Sequence, residues 1–95
     1  MPGDDTLAEL ASLLADTNDA ELIYDFLSAM LTPTEQQEII LRWKLVRLLE
    51  QGMSQRAVAE ELGVSLCKIT RGSHELQHGP PGFREMVKAS LTKNK

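Results

Sequence analysis

Cysteine, aromatic residues and long apolar runs are all scarce in this 95-residue chain. Its one cysteine excludes an intrachain disulfide, and its acidic N-terminal residues differ from the basic start of a secretory signal peptide. No run approaches the roughly 20 apolar residues that a membrane span requires. These absences predict a protein of the reducing cytoplasm that has no membrane partner.

One Trp, one Tyr and two Phe accompany an apolar content of 42%, so a core must be packed mainly from Leu, Ile and Val. Alternating apolar and polar residues, the pattern of a half-buried strand, extend over no useful length. We therefore expect an all-α protein that forms a single domain, residues 1–95, with a modest core that oligomerisation would help to complete.

Basic residues are missing from residues 1–41, which hold nine acids. Residues 42–95 hold all ten bases and five acids, a local charge of +5, although the whole chain carries −4. Because phosphate binding depends on the local patch, the acidic average does not exclude a nucleic acid as partner.

Helical periodicity recurs along the chain and predicts six helices. Residues 1–31 hold two of them, interpreted as dimerisation helices, and the second would open on a capping box of Asn18 and Glu21. Residues 77–82 predict a break in the helical structure, and a last helix should follow at residues 83–91. We expect loose chain ends, which are residues 1–4 and 92–95.

Residues 32–52 predict a long central helix. Thr32 is placed to cap it, Pro33 suits the first helical position, Glu35 completes a capping box, and Gly52 should end it. The helix is apolar around most of its circumference, which is typical of a helix buried on more than one side. A small monomer could hardly surround it, so we expect a second subunit to cover the remainder.

Residues 53–76 predict two short helices joined by a tight turn. Ser54 can cap the first helix, Gly63 suits the turn because glycine tolerates positive φ, and Ser65 can cap the second, which would end near Leu76. The apolar residues spaced to hold the pair together are Val58, Leu62, Val64, Ile69 and Leu76. This is the layout of a DNA-binding helix-turn-helix, although an ordinary helical hairpin is the alternative.

No constellation in the sequence predicts an enzyme. His74 and His78 lack partner ligands at a credible metal spacing, and neither a nucleophile–base pair nor a glycine-rich phosphate loop is evident. We therefore expect neither catalysis nor a bound metal.

Four features stand in order along the chain: Met30-Leu31-Thr32-Pro33, Arg42, Met53-Ser54-Gln55-Arg56 and Ile69-Thr70-Arg71-Gly72-Ser73. Together they resemble the tryptophan repressor family over about residues 28–91, whereas residues 1–27 match only as a pair of helices. The resemblance implies a six-helix, intertwined homodimer that binds operator double-stranded DNA when L-tryptophan, the corepressor, occupies a pocket beside the helix-turn-helix. It also implies control of genes for tryptophan biosynthesis or uptake.

The resemblance assigns a role to each residue of that pocket. Arg42 would pair with the ligand carboxylate and form one wall, with Val46 packing nearby. Arg71 would stack on the indole face, and Gly72 would let the ring approach the helix backbone. The main-chain carbonyls that would accept from the ligand ammonium, in the second subunit, are those of Ala29, Leu31 and Thr32. Without the resemblance, Arg42 would be interpreted as a surface cation and Arg71 as a phosphate contact.

Glu75 departs from the family pattern, which has a serine four residues after the stacking arginine. Its carboxylate could receive the ligand ammonium or the indole N–H, or it could repel a carboxylate. A regulator of the same fold that answers to another ligand, or to none, is therefore the alternative. A protein-interaction module is a third hypothesis, against which the basic segment 42–95 argues.

The resemblance also indicates a DNA-binding surface. Base contacts, direct or through water, are expected from Arg56, Leu66, Cys67 and Thr70, with Ser65 on the same surface. Phosphate contacts are expected from Ser54, Gln55 and Lys68, with Arg42 a further candidate. Arg56 suits a guanine, because bidentate Arg–guanine pairs are common, although a purely electrostatic role is the alternative. The sequence favours Cys67 as a small packing or groove residue rather than a redox sensor.

Overall fold

A computed structural model describes residues 5–93, and that part of the chain contains six helices and no strand. The all-α prediction is confirmed. The predicted loose ends lie outside the described residues, except that residues 92 and 93 continue the last helix. The helices are α1 (Thr6–Asp16), α2 (Ala20–Met30), α3 (Pro33–Glu50), α4 (Gln55–Leu62), α5 (Leu66–His78) and α6 (Pro81–Lys93).

The chain divides into two compact units, Met1–Gln36 and Gln37–Lys95. Among the described residues of the first unit, α1 and α2 bury no side chain. Its large apolar residues that remain exposed are Leu7, Leu13, Leu22, Tyr24, Leu27 and Met30. Two short helices that bury so little cannot hold themselves folded by apolar burial.

The start of α2 corrects the sequence interpretation. The N-cap is Asp19 and not Asn18: the Asp19 carboxylate accepts hydrogen bonds from the backbone N–H groups of Glu21 at 3.1 Å and Leu22 at 3.3 Å. Asn18 lies one residue too early for its side chain to reach the second and third helical N–H groups, which are the ones a cap serves.

The start of α3 is confirmed as a capping box. The Glu35 N–H donates to Thr32 Oγ1 at 3.1 Å, and the Thr32 N–H donates to Glu35 Oε1 at 2.9 Å. The Gln36 amide then donates to the carbonyls of Ser28 and Leu31, both at 3.0 Å, and so ties the end of α2 to the start of α3.

The end of α3 is a Schellman motif centred on Gly52. The Met53 N–H donates to the Leu48 carbonyl at 3.2 Å, and the Gly52 N–H donates to the Leu49 carbonyl at 3.0 Å. Gly52 has φ +103°, which only glycine adopts readily, so the predicted stop is confirmed.

The core of the second unit is built from α3, α4, α5 and α6, with α5 packed against both α4 and α6. Its buried members are Leu45, Val46, Val58, Ile69, Leu76 and Val87. Leu62 and Val64, which were predicted to join the two short helices, are partly buried against this core. On its surface, Arg84 Nε donates to Glu50 Oε1 at 2.9 Å and links α6 to the end of α3.

The turn between α4 and α5 forms as predicted, with one exception. The Ser54 hydroxyl accepts a hydrogen bond from the Ala57 N–H at 3.1 Å, and Gly63 has φ +66°. Ser65 occupies the N-cap position of α5 with extended backbone, but its side chain makes no capping hydrogen bond. The prediction of a Ser65 side-chain cap is therefore wrong.

These two serines provide a matched test of capping. Replacing Ser54 with alanine should lower the free energy of unfolding by about 1 kcal/mol, because an N–H of the first turn loses its acceptor. The same change at Ser65 should alter it by only about 0.3 kcal/mol, since no capping bond is lost. Urea unfolding followed by circular dichroism measures both, and equal losses would contradict the assignment.

The break before α6 is shorter than predicted. Helix α5 continues through His78, and α6 begins at Pro81, which leaves only Gly79 and Pro80 between them. The Gly79 N–H still donates to the Glu75 carbonyl at 2.9 Å. Pro81 starts a helix because its fixed φ suits the first helical position, where a backbone N–H is not needed.

Within residues 5–93, no helix is both long enough and apolar enough to cross a membrane.

Candidate functional site

A cavity of about 690 Å³ lies between α3, α5 and the start of α6 in the second unit. The residues that line it are Glu38, Leu41, Arg42, Leu45, Val46, Lys68, Arg71, Gly72, Glu75 and Phe83. Five of the residues expected in a ligand pocket are thus brought together: Arg42, Val46, Arg71, Gly72 and Glu75.

Helical spacing explains how two walls of this cavity arise. On α5, Lys68, Arg71, Gly72 and Glu75 follow the i, i+3, i+4, i+7 rule, so they share one face of the helix. On α3, Glu38 lies one turn before Arg42 and so belongs to the same face. Each helix therefore presents a carboxylate and a guanidinium to the same space.

The charged side chains around the cavity are not paired with one another. Glu38–Arg42 and Arg71–Glu75 each have the i, i+4 spacing of an intrahelical ion pair, yet the Arg84–Glu50 pair is the one ion pair within the described residues. All four side chains, and that of Lys68, are exposed. Groups of both signs are therefore available to a ligand that carries both charges.

Gly72 lets α5 pack closely against α3 beside the cavity. It is buried, and a Cβ built on it would overlap Leu45 Cδ1 and lie 3.6 Å from Val46 Cγ1. Leu45 and Val46 are 3% and 0% exposed, so neither has free space into which to retreat. The small size of Gly72 thus serves the packing of α5 on α3, a reason that the sequence did not reveal.

Four lining residues were not expected in a ligand pocket, namely Glu38, Leu41, Leu45 and Phe83. Glu38 and Leu45 could have been found from their i−4 and i+3 relation to Arg42, and Leu41 from its i−4 relation to Leu45. Phe83 had no such signal, because its place depends on how α6 folds back on the unit. Lys68, expected at phosphates, also lines the cavity.

Ala29, Leu31 and Thr32 belong to the first unit, and they are not among the residues that line this cavity. The Leu31 carbonyl already accepts the Gln36 side-chain amide at 3.0 Å, and the Thr32 carbonyl accepts the Gln36 backbone N–H at 2.8 Å. Their role as acceptors for a ligand ammonium stays a prediction.

The outer surface of α4 and the start of α5 is polar and open. Arg56, Ser65, Leu66, Cys67, Lys68 and Thr70 are all exposed. Thr70 Oγ1 donates to Gln55 Oε1 at 3.0 Å, and this bond ties α5 to α4. Ser54 and Gln55 already accept hydrogen bonds within the helix pair. Arg56 and Lys68 are the exposed cations that this surface offers to a partner.

Known proteins with related sequences agree on one family. Residues 5–91 match the family model described as Trp repressor protein. A Trp operon repressor homolog of Chlamydia trachomatis serovar L2 is 32% identical over 81 residues, which cover 84% of this chain and 86% of that protein. The homolog of Pasteurella multocida is 37% identical over 68 residues, which cover 70% of this chain and 67% of that protein.

The helical fold and the length of these matches lead to one conclusion. The chain belongs to the Trp repressor protein family, whose members are transcription regulators and not enzymes.

Proposed function

We propose that this tryptophan-repressor-like regulator is a homodimer that binds operator double-stranded DNA when L-tryptophan, its corepressor, occupies the cavity beside α5. One observation carries the proposal: α5 supplies both the exposed surface next to α4 and a wall of the cavity. A ligand between α3 and α5 therefore acts on the same helix that would read DNA.

The chemistry of the cavity suits an amino acid with a flat apolar side chain. Its volume of about 690 Å³ falls within the roughly 300–1,000 Å³ of small-molecule sites. Arg42 offers a planar guanidinium to a carboxylate, and Arg71 can stack on an indole ring. Leu41, Leu45 and Phe83 line the cavity and would supply apolar contacts to the ring.

The α4–turn–α5 pair suits a helix-turn-helix role. The start of α5 would enter the major groove, where Leu66, Cys67 and Thr70 would meet bases, while Arg56 would contact a guanine. Lys68 would approach phosphates from the same end of α5. The +5 charge of residues 42–95 favours this approach despite the acidic whole chain.

Exposed apolar surface supports the homodimer. Besides the open faces of α1 and α2, Ile39, Ile40 and Trp43 on α3 are 46%, 52% and 39% exposed. A second subunit would cover this apolar surface, and two copies would present two reading helices to one operator.

The proposal places the protein in the cytoplasm, where it would control genes for tryptophan biosynthesis or uptake. Its direct test is operator binding with and without ligand. A duplex selected from a random pool in the presence of L-tryptophan should bind about 10- to 100-fold more tightly when the ligand is added. By linkage, the same duplex must raise the affinity for tryptophan by the same factor.

Fluorescence anisotropy of the labelled duplex measures how the ligand changes DNA affinity. Calorimetry measures how the duplex changes the affinity for the ligand. A scrambled duplex, which should show a weak and strongly salt-dependent affinity, is the control. Tight binding that tryptophan does not change would contradict the corepressor role.

The second candidate is a regulator of the same fold that responds to a different ligand or to none, and Glu75 in the cavity wall favours it. Calorimetry of the wild-type protein with tryptophan, tryptamine and indole derivatives separates the two candidates. Heat from another compound but none from tryptophan would replace the first candidate with the second.

A further inference from the structure

Two histidines in the C-terminal half of α5 form a pair that the proposed function does not use. His74 and His78 stand at i and i+4, so their side chains lie one above the other on the same face of the helix. Their ring centroids are 4.8 Å apart, the ring planes are inclined by 47°, and both side chains are exposed. A solute can therefore reach both imidazoles at once.

The distance between these rings suits two imidazoles that bind one metal ion. A zinc–nitrogen bond of about 2.0–2.1 Å places the ring centroid about 3.2 Å from the metal, and ligands roughly 90–110° apart then hold the two centroids about 4.5–5.2 Å from each other. The observed 4.8 Å lies within this range. The two rings thus need little rearrangement to share an ion.

The local sequence has the form of a helical zinc motif. Residues 74–78 read His-Glu-Leu-Gln-His, and in the H-E-x-x-H motif two histidines at i and i+4 of a helix bind the metal from one face. The sequence offered no third ligand, and within residues 5–93 no third His, Cys, Asp or Glu completes a group with the pair. A bound ion would complete its coordination with water.

The end of α5 also favours a cation. His78 is the last residue of the helix, where backbone carbonyls without intrahelical partners make the potential negative. Glu75 adds a carboxylate next to His74, and it belongs to no ion pair within the described residues. Arg71, one turn before His74, opposes a cation, but it stands about 10 Å along the helix axis from His78.

We propose that His74 and His78 together bind one divalent transition-metal ion of the kind that imidazole prefers, such as Zn²⁺, Ni²⁺ or Cu²⁺. The bound ion joins the last two turns of α5, the helix that also forms a wall of the cavity. This site goes beyond the proposed function and does not depend on it, because neither histidine lines the cavity.

Calorimetry on the full chain, freed of metal with a chelator, tests the site with ZnCl₂ and NiCl₂. We expect one Zn²⁺ per chain with a Kd of about 1–200 µM, because two ligands supply roughly half of the binding free energy of a four-ligand structural zinc site. MgCl₂ is the control, since Mg²⁺ is a hard ion that prefers oxygen ligands, and it should not bind.

Three variants identify the ligands. His74→Ala and His78→Ala should each weaken Zn²⁺ binding at least about tenfold, because a single imidazole cannot chelate the ion. Cys67→Ser removes the only thiol of the chain, the other side chain that Zn²⁺ prefers, and should leave the Zn²⁺ affinity unchanged. Circular dichroism verifies that each variant is folded.

Two further measurements report on the helix itself. In nuclear magnetic resonance spectra, the ring protons of both histidines should shift together and saturate at one Zn²⁺ per chain. Because the folded helix holds the two imidazoles in place and the unfolded chain does not, Zn²⁺ should raise the unfolding midpoint of the wild type and not that of either histidine variant.

Wild-type Zn²⁺ affinity in both histidine variants would overturn the proposal, and so would loss of binding in Cys67→Ser alone. A wild type that binds no Zn²⁺, or binds Mg²⁺ equally well, would refute it too. One ion per two chains would also contradict it, because the histidines would then bridge two copies instead of chelating within one helix.

Discussion

Replacing Arg71 with alanine is expected to remove the tryptophan response of operator binding while the fold is kept. The side chain is exposed and lines the cavity, and its loss leaves the core residues of α5 in place. Without the stacked guanidinium, tryptophan should bind at least about tenfold more weakly. Calorimetry gives the ligand affinity, and anisotropy of the selected duplex gives the response.

Two further variants separate ligand binding from a phosphate contact. Arg71→Lys keeps the charge but not the planar group, so it should retain ligand-free DNA binding and still bind tryptophan more weakly than the wild type. Lys88→Ala removes an exposed cation of α6 outside the cavity and should leave the tryptophan affinity unchanged. Arg71→Ala could instead lower DNA affinity equally with and without tryptophan, and reduce the slope of log affinity against log salt concentration by about 1. That result would make the residue a phosphate contact.

Replacing Gly72 with alanine is expected to destabilise the protein, although alanine is the better helix former. The new Cβ would overlap the buried Leu45 side chain, and overpacking of this kind typically costs about 1–3 kcal/mol. The gain in helix propensity, about 1 kcal/mol, offsets only part of that cost. A displaced Leu45 would also change the cavity floor, so tryptophan affinity should fall with stability.

Gly82→Ala is the matched control, because nothing lies within 4 Å of the Cβ that it would add to α6. It should be neutral or slightly stabilising, so the free energies of unfolding of the two variants should differ by the cost of overpacking, about 1–3 kcal/mol. Thermal unfolding at one fixed protein concentration measures the difference, since a dimer's midpoint depends on concentration. Equal stabilities would show that α5 can move away from α3 without loss.

Helix ends were predictable wherever neighbouring residues decide them. Thr32 and Glu35 form the expected capping box, and Gly52 and Gly63 take the positive φ that their turns require. One error lies at Ser65, which occupies an N-cap position without making the capping bond. Two others lie where adjacent residues compete for one role. Asp19 rather than Asn18 caps α2, and Pro81 opens α6 where a longer break was expected.

The candidate site was predictable only in part, since the sequence says little about which helix faces meet. Arg42 and Arg71 were singled out by resemblance, and they do line one cavity. Phe83 was not, because nothing near it in the chain indicates that α6 turns toward α3 and α5. Gly72 was assigned to the ligand alone, whereas its contact with Leu45 is visible only in the packed structure.

The sequence by itself determined the all-helical class, most helix boundaries, the family and the charge difference between the two segments of the chain. These follow from composition and from interactions within about four residues, the range of a helical turn. Only the tertiary structure decided that Glu38, Lys68 and Phe83 share a cavity with Arg71. It also decided that exposed charged side chains of both signs line that cavity. Such placement depends on the packing of helices far apart in the chain, through the contact of Gly72 with Leu45 and the buried core around it.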